Sequence, residues 1–260
     1  MEQTITVSTD ARGVARLVLN RPEKHNALNG AMMDEITIAA NQLGADPAVR
    51  VVILGAEGSS FCAGGDLVWM RAQVAADARQ RAVEARRLAG MLAALNTLPK
   101  PLIGQVQGNA FGGGIGMMAV CDLAIGVEGA SFGLTETRLG LIAATISPYV
   151  VARIGSTAAR RHMLGSRIFD ASEACRIGLL AQATTRDGLD AAVEVDVRAF
   201  LECAPGAIAA TKHLIRTLSS AISADVIERT IQALVERWES PEAGEGIAAF
   251  LARRLPNWHP

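Results

Sequence analysis

Val14-Ala15-Arg16-Leu17-Val18-Leu19 is rich in branched side chains and stops at Asn20-Arg21-Pro22, the pattern of a buried strand ended by a turn. Apolar residues then recur at helical spacing over residues 28–43, behind Asn26 or Asn29 as the capping side chain. Residues 49–54, 102–106 and 123–127 are near-continuous apolar runs, as expected of strands covered on both faces of a parallel sheet. An Ala- and Arg-rich stretch over 72–96, ended by Pro99 and Pro101, and a shorter one over 115–121 predict crossover helices. The first half is therefore βαβ in character. After about residue 150 the strand signal fades, and helical patterns follow at 158–164, 171–177, 189–201, 207–218, 225–238 and 244–255. A helical C-terminal third without a sheet of its own reads as an interaction module.

Two apolar strands run into glycine-rich loops, Phe61-Cys62-Ala63-Gly64-Gly65-Asp66 and Gly108-Asn109-Ala110-Phe111-Gly112-Gly113-Gly114. Glycine admits backbone angles closed to other residues, and its bare N–H can be reached by a ligand. Two such loops aiming two N–H groups at one oxygen would form an oxyanion hole, which points to carbonyl chemistry. Close packing of a helix on a sheet is the other use of these glycines; the second loop favours a site. No GxxxxGK[ST] or GxGxxG pattern is present and neither glycine loop holds a GxSxG elbow, which disfavours nucleotide-phosphate cradling and serine hydrolysis.

An enolate held in such a site needs a proton carrier. Glu136, within Phe132-Gly133-Leu134-Thr135-Glu136-Thr137-Arg138-Leu139-Gly140, is the candidate, because burial among apolar neighbours would raise its pKa toward the working range of a general acid/base. An ion pair with Arg138 is the competing reading. His25, His162, His213 and His259 form no catalytic set and are read as structural or surface residues. Trp69-Met70 either lines an apolar pocket or packs in the core.

Composition narrows the ligand. The 260 residues are 50% hydrophobic and 20% charged, enough for a well-filled core. With 25 basic against 26 acidic residues and no run of like charge, no net field draws nucleic acid or an anionic membrane, so a small ligand is expected. Cys62, Cys121, Cys175 and Cys203 lie far apart, which suggests buried free thiols rather than a metal site or disulfides. The start Met1-Glu2-Gln3-Thr4 is acidic where a secretory leader would be basic, and no membrane-spanning run occurs, so a reducing cytoplasm is expected.

In order and spacing, the motifs resemble those of the crotonase, or enoyl-CoA hydratase/isomerase, superfamily over nearly the whole chain. They are Asn20-Arg21-Pro22 with Asn26-Ala27-Leu28, the loop at Phe61 to Leu67, Lys100-Pro101 leading into Gly108 to Gly114, Cys121-Asp122-Leu123-Ala124, Phe132-Gly133 and Glu245-Gly246-Ile247-Ala248-Ala249-Phe250. The resemblance implies an α/β spiral of repeated ββα units over 1–195, carrying an acyl-CoA site, and a helical C-terminal oligomerisation region over 196–260. It implies homotrimers or dimers of trimers, and an acyl-CoA thioester as substrate, with coenzyme A part of that substrate and no separate cofactor or metal. Carried over residue by residue, it places the thioester oxygen on the N–H groups of Gly65 and Gly113. Ala63, Gly64, Asp66 and Leu67 would border the pantetheine, with the nucleotide end near Lys24 and Ala27.

The departure from the pattern is at Gly116. Hydratases of the resembled family use two glutamates, and the first falls at Gly116 while the second is Glu136. One carboxylate moves a proton between carbons easily, whereas hydration asks for a second group or the ligand's own. The segments from Leu134 to Ile142 and from Ala144 to Arg153 resemble the bacterial methylglutaconyl-CoA and isohexenylglutaconyl-CoA hydratase-like branch, which also carries glycine there, with Ala143 where a proline is common. The expectation is an enoyl-CoA hydratase-type lyase that adds water across a 2,3-double bond through a stabilised enolate. A Δ3,Δ2-enoyl-CoA isomerase and a non-catalytic acyl-CoA binder are the alternatives. An acidic acyl chain would call for an arginine, from Arg71, Arg86, Arg87 or Arg138.

Overall fold

The computed structural model describes residues 3–218 and 222–259; the acidic start at Met1 and Glu2 lies outside them. Among the described residues, ten strands form two sheets. The larger contains β1 (Ile5–Thr9), β2 (Val14–Leu19), β3 (Val51–Ala56), β5 (Leu102–Val106), β7 (Leu123–Val127) and β10 (Gln182–Thr184), in the order β1-β2-β3-β5-β7-β10. All neighbours pair in parallel except β1, which lies antiparallel to β2 with Ile5 opposite Leu19. The smaller sheet is β4 (Ser60–Cys62), β6 (Asn109–Phe111), β8 (Ser131–Gly133) and β9 (Phe169–Asp170), in the order β4-β6-β8-β9. β3, with five of its six residues buried, shows why the apolar runs were continuous.

The chain repeats one unit: long strand, short strand, helix. β3 and β4 lead to α2 (Leu67–Ala75) and α3 (Ala78–Thr97); β5 and β6 lead to α4 (Gly113–Val120); β7 and β8 lead through a 3-10 turn, Glu136–Leu139, to α5 (Ser147–Gly165). α1 (Gly30–Ala45) packs against α3. The short strands β4, β6 and β8 are parallel neighbours, paired Ser60 to Asn109 and Ala110 to Phe132, so the loops that follow them emerge side by side. This register brings residues about 70 apart in the chain to one edge.

Several expected elements change. Asn29, not Asn26, caps α1 by accepting from the Met32 N–H. The single helix expected over 72–96 is two, because Asp77 caps a new helix by accepting from the Gln80 N–H. The helix expected over 158–164 is the end of α5, which is broken at Gly155 with φ 73°. The sheet signal does not end near residue 150: β9 and β10 add edges to sheets built from the first half, and strands of two or three residues are too short to show a period.

Past α6 (Ala171–Arg176), α7 (Leu189–Leu201) and α8 (Pro205–Leu218), the last helices fold back. The expected division at 195 falls within α7, where Val193 and Val197 on either side are buried. α9 (Ala224–Trp238) sets Ile231 against Ala85 and Ala89 of α3, and α10 (Pro241–Leu251) joins Trp238, Ala243 and Ile247 to Leu141.

Candidate active site

The loop after β4 is tied to the segment 25–28. The Ala63 N–H donates to His25 O at 3.0 Å, the Leu28 N–H to Gly64 O at 2.7 Å, and the Asp66 N–H to Leu28 O at 2.9 Å. Asn26 explains that segment's sequence: its amide donates to Glu57 O and Ser60 O while its carbonyl oxygen accepts from the Arg21 N–H. Arg21 in turn donates to Ala27 O at 2.8 Å and to Asp66 Oδ2 at 2.9 Å. Asp66 caps α2, its Oδ1 accepting from the Val68 and Trp69 N–H groups. Burial opposes the Asp66 charge, but Arg21 and those two N–H groups outweigh it and hold the carboxyl below the usual range. Asp66 therefore acts first as an anchor of the loop, and Arg21 and Asn26 are scaffold residues the motif concealed.

The loop after β6 has fewer ties. Gly112 sits at φ 49°, its N–H donating to Gly133 O at 3.0 Å, and α4 starts at Gly113 with no side-chain cap. A Cβ on Gly112 would stand 3.0 Å from Glu136 Oε1 and 3.8 Å from Gly64 Cα, so both loops and the carboxylate meet at this point. A Cβ on Gly113 would stand 2.6 Å from Leu28 Cδ1. Among the described residues the N–H groups of Gly65 and Gly113 donate to no acceptor, one lying at the turn before α2 and the other being the first of α4.

Glu136 opens the third repeat's 3-10 turn, where its carbonyl accepts from the Leu141 N–H. Its Oε2 is sealed from solvent without a hydrogen-bond partner, and among the described residues it makes no ion pair with Arg138. Burial pushes its pKa up to about 7, opposed only by a backbone hydrogen bond of its own. The competing surface ion pair is thereby replaced by a desolvated acid. At Gly116, a Cβ would lie 2.5 Å from Ile146 Cγ2 and 3.5 Å from Leu92 Cδ2. The room that a second carboxylate would need is filled with hydrocarbon.

These groups line a cavity of about 760 Å³. Lys24, Ala27, Ala63, Gly64, Gly65, Asp66, Leu67, Gly113 and Glu136, all expected at the site, are on its wall. Trp69 and Met70 line it as well, so the apolar-pocket alternative holds for them; Trp69 donates from Nε1 to Glu84 Oε2 at 2.7 Å, and its ring would lie 3.5 Å from a Cβ on Gly65. Leu234, Trp238 and Phe250 reach the cavity from α9 and α10, which no local pattern announced. Of the four arginines considered, Arg138 reaches the wall. Arg86 instead pairs with Glu228, Arg87 with Glu84 and Asp34, and exposed Arg71 is not on the wall.

Of the thiols, Cys62 and Cys121 are buried and burial pushes both up to about 12, which keeps them protonated and inert; Cys175 is half-buried and Cys203 exposed, contrary to the expectation that all four are buried. His162 is buried against Glu173 and Phe169, a structural setting, whereas His25 bonds Ser60 and also lies on the cavity wall. Among the described residues, no helix is long and apolar enough to cross a membrane.

The profile described as enoyl-CoA hydratase/isomerase matches residues 9–260. A mevalonyl-coenzyme A hydratase, sidH, of Aspergillus fumigatus is 32% identical over 99% of this chain and 96% of its own. The crystal structure of an enoyl-CoA hydratase from Mycobacterium avium superposes with a TM-score of 0.86 at 33% identity, covering 100% of both chains. That of an enoyl-CoA hydratase from Shewanella pealeana does so at 0.81 and 37%, covering 98% of this chain and 96% of that one.

Proposed function

The chain belongs to the enoyl-CoA hydratase/isomerase family, and from that premise we propose that it is an enoyl-CoA hydratase acting on a 2,3-unsaturated acyl-CoA thioester. One observation carries the reading: two unpartnered N–H groups, from Gly65 and Gly113, share an apolar cavity with one desolvated carboxylate of pKa about 7. The thioester oxygen accepts from both N–H groups, which favours the enolate over the ground state as negative charge moves onto that oxygen. Ionised Glu136 takes a proton from water as the water oxygen bonds to C3 and the double-bond electrons shift toward the thioester. The same carboxyl then returns the proton to C2, and the enolate collapses to the 3-hydroxyacyl thioester. A group with pKa near 7 serves both steps, because it is neither held ionised nor held protonated at neutral pH.

Ala63, Gly64, Asp66 and Leu67, all on the cavity wall, would border the pantetheine, and Lys24 and Ala27, on the same wall, would lie by the nucleotide end. Coenzyme A is carried by the substrate, so the chemistry calls for no further cofactor. Exposed Leu214, Ile215 and Leu218 along α8 give the chain an apolar stripe consistent with assembly into trimers or dimers of trimers, and we place the enzyme in the cytoplasm.

Incubation with crotonyl-CoA, a 3-enoyl-CoA and methylglutaconyl-CoA in heavy-oxygen water, read by mass spectrometry, tests the reading. A labelled mass gain is expected. A double-bond shift without gain would make the protein an isomerase, and no turnover at all would make it a binder.

A further inference from the structure

Hydration with one carboxylate leaves a geometric gap. The attacking water has two hydrogens; Glu136 accepts one, and without an acceptor for the other the molecule can turn away from C3. Gly116 offers no side chain, and Ile146 with Leu92 closes the space a longer residue would occupy. If the ligand does not supply the acceptor, the wall that Glu136 shares is the place to look for it.

Thr145 has the required properties. It is 4% exposed, and it lines the same cavity as Glu136, immediately before the Ile146 that fills the Gly116 site. Its hydroxyl makes no hydrogen bond among the described residues, yet it is not among the sealed unpartnered atoms, which are Gln107 Oε1, Glu136 Oε2 and His162 Nδ1. A buried hydroxyl without a protein partner is costly unless a ligand or water meets it. The backbone around it is held on both sides: the Ser147 N–H and hydroxyl bond Ala143 O, and Ile146 O accepts from the Tyr149 and Val150 N–H groups. The turn leading into α5 thus presents a short, β-branched, rotamer-restricted hydroxyl from a fixed backbone.

We propose that Thr145 positions the attacking water, its Oγ1 accepting the hydrogen that Glu136 does not take. This rests on the hydratase reading. Bond changes are those already given: the water oxygen joins C3, one water proton passes through Glu136 to C2, and the other, hydrogen-bonded to Thr145 Oγ1, stays on the water oxygen as the new hydroxyl. Thr145 is a positioning residue and transfers no proton.

The test separates water addition from proton transfer at C2. Exchange of the C2 hydrogens of butyryl-CoA in heavy water requires Glu136 and both N–H groups but no nucleophile. In Thr145→Val, hydration kcat is expected to fall about ten- to a hundredfold while exchange stays within twofold; Thr145→Ser, which keeps the hydroxyl, should recover most of the hydration. Unchanged hydration in the valine variant overturns the role, as does a parallel loss of exchange, which would mean that the turn merely supports Glu136. A wild-type protein that exchanges C2 hydrogens but adds no water to any of the three enoyl-CoAs would instead overturn the hydratase reading and Thr145 with it.

Discussion

The two glycine loops occupy equal places in successive repeats, yet they are built in opposite ways. The loop from Ala63 to Asp66 is held by tethers: three backbone bonds to segment 25–28, the Asp66 cap on α2, and the Arg21 pair. The loop from Gly112 to Gly114 is held by crowding. A Cβ would meet Glu136 Oε1 at Gly112, Leu28 Cδ1 at Gly113 and Cys62 O at Gly114, all within 3.0 Å, and the helix it opens is buried from Gly114 to Val120. At Gly65 a Cβ would find Met70 and Trp69 at 3.4 and 3.5 Å, ordinary contact distances. An N–H can thus be aimed by hydrogen bonds at an exposed edge, or by exclusion of every side chain in a core. The first can be loosened by degrees; the second fails as a unit.

The largest effect should come where the crowded loop meets its acid. Glu136→Gln is expected to lower hydration about a hundred- to ten-thousandfold in steady-state assays. Wild-type kcat/KM should fall as pH drops through about 7, because the base form is lost. Stability moves the other way. Between the ordinary carboxylate value of 4.5 and about 7, folded Glu136 keeps a proton that the unfolded chain has released, so its contribution to stability declines as pH rises through that window. The decline amounts to at most about 3 kcal/mol. Glu136→Gln should therefore unfold at a higher temperature than wild type at pH 8 in calorimetry, an advantage that fades near pH 4; equal melting at both would deny that the carboxylate is desolvated.

Next in size, Gly113→Ala must push Leu28 aside and turn the N–H, costing about 3 kcal/mol of barrier, a loss of roughly a hundredfold or more. Asp66→Asn keeps an acceptor for the cap but leaves Arg21 without its charge partner, and should cost about 1–3 kcal/mol of stability in denaturant unfolding. Gly65→Ala should be the mildest, with about a tenfold loss of kcat, since the methyl fits and only the approach of the thioester is narrowed. If Gly65→Ala and Gly113→Ala prove equally damaging, the contrast between tethered and crowded loops is wrong.

Much of this was readable along the chain because it is local. Apolar runs at 14–19, 49–54, 102–106 and 123–127 marked strands, since burial on both faces leaves few polar residues in them. Glycine spacing marked both loops, and the apolar setting of Glu136 anticipated its raised pKa. What escaped had no local signature. The short strands β4, β6 and β8 are too brief to show a period, yet their pairing is what brings Gly65, Gly113 and Glu136 together. Arg21 looked like part of a turn and proved to be the counter-ion of Asp66, 45 residues away.

The sequence by itself determined the inventory: two bare N–H groups, one acid, no second carboxylate at Gly116, and membership in a recognisable family. Those are facts about which residue stands where. Only the tertiary structure decided that Ile146 fills the Gly116 space, that Leu234, Trp238 and Phe250 return to wall the cavity, and that Glu136 loses its water without gaining an ion pair. Each of these depends on what lies beside a residue rather than on what the residue is, and desolvation and exclusion are properties of neighbours.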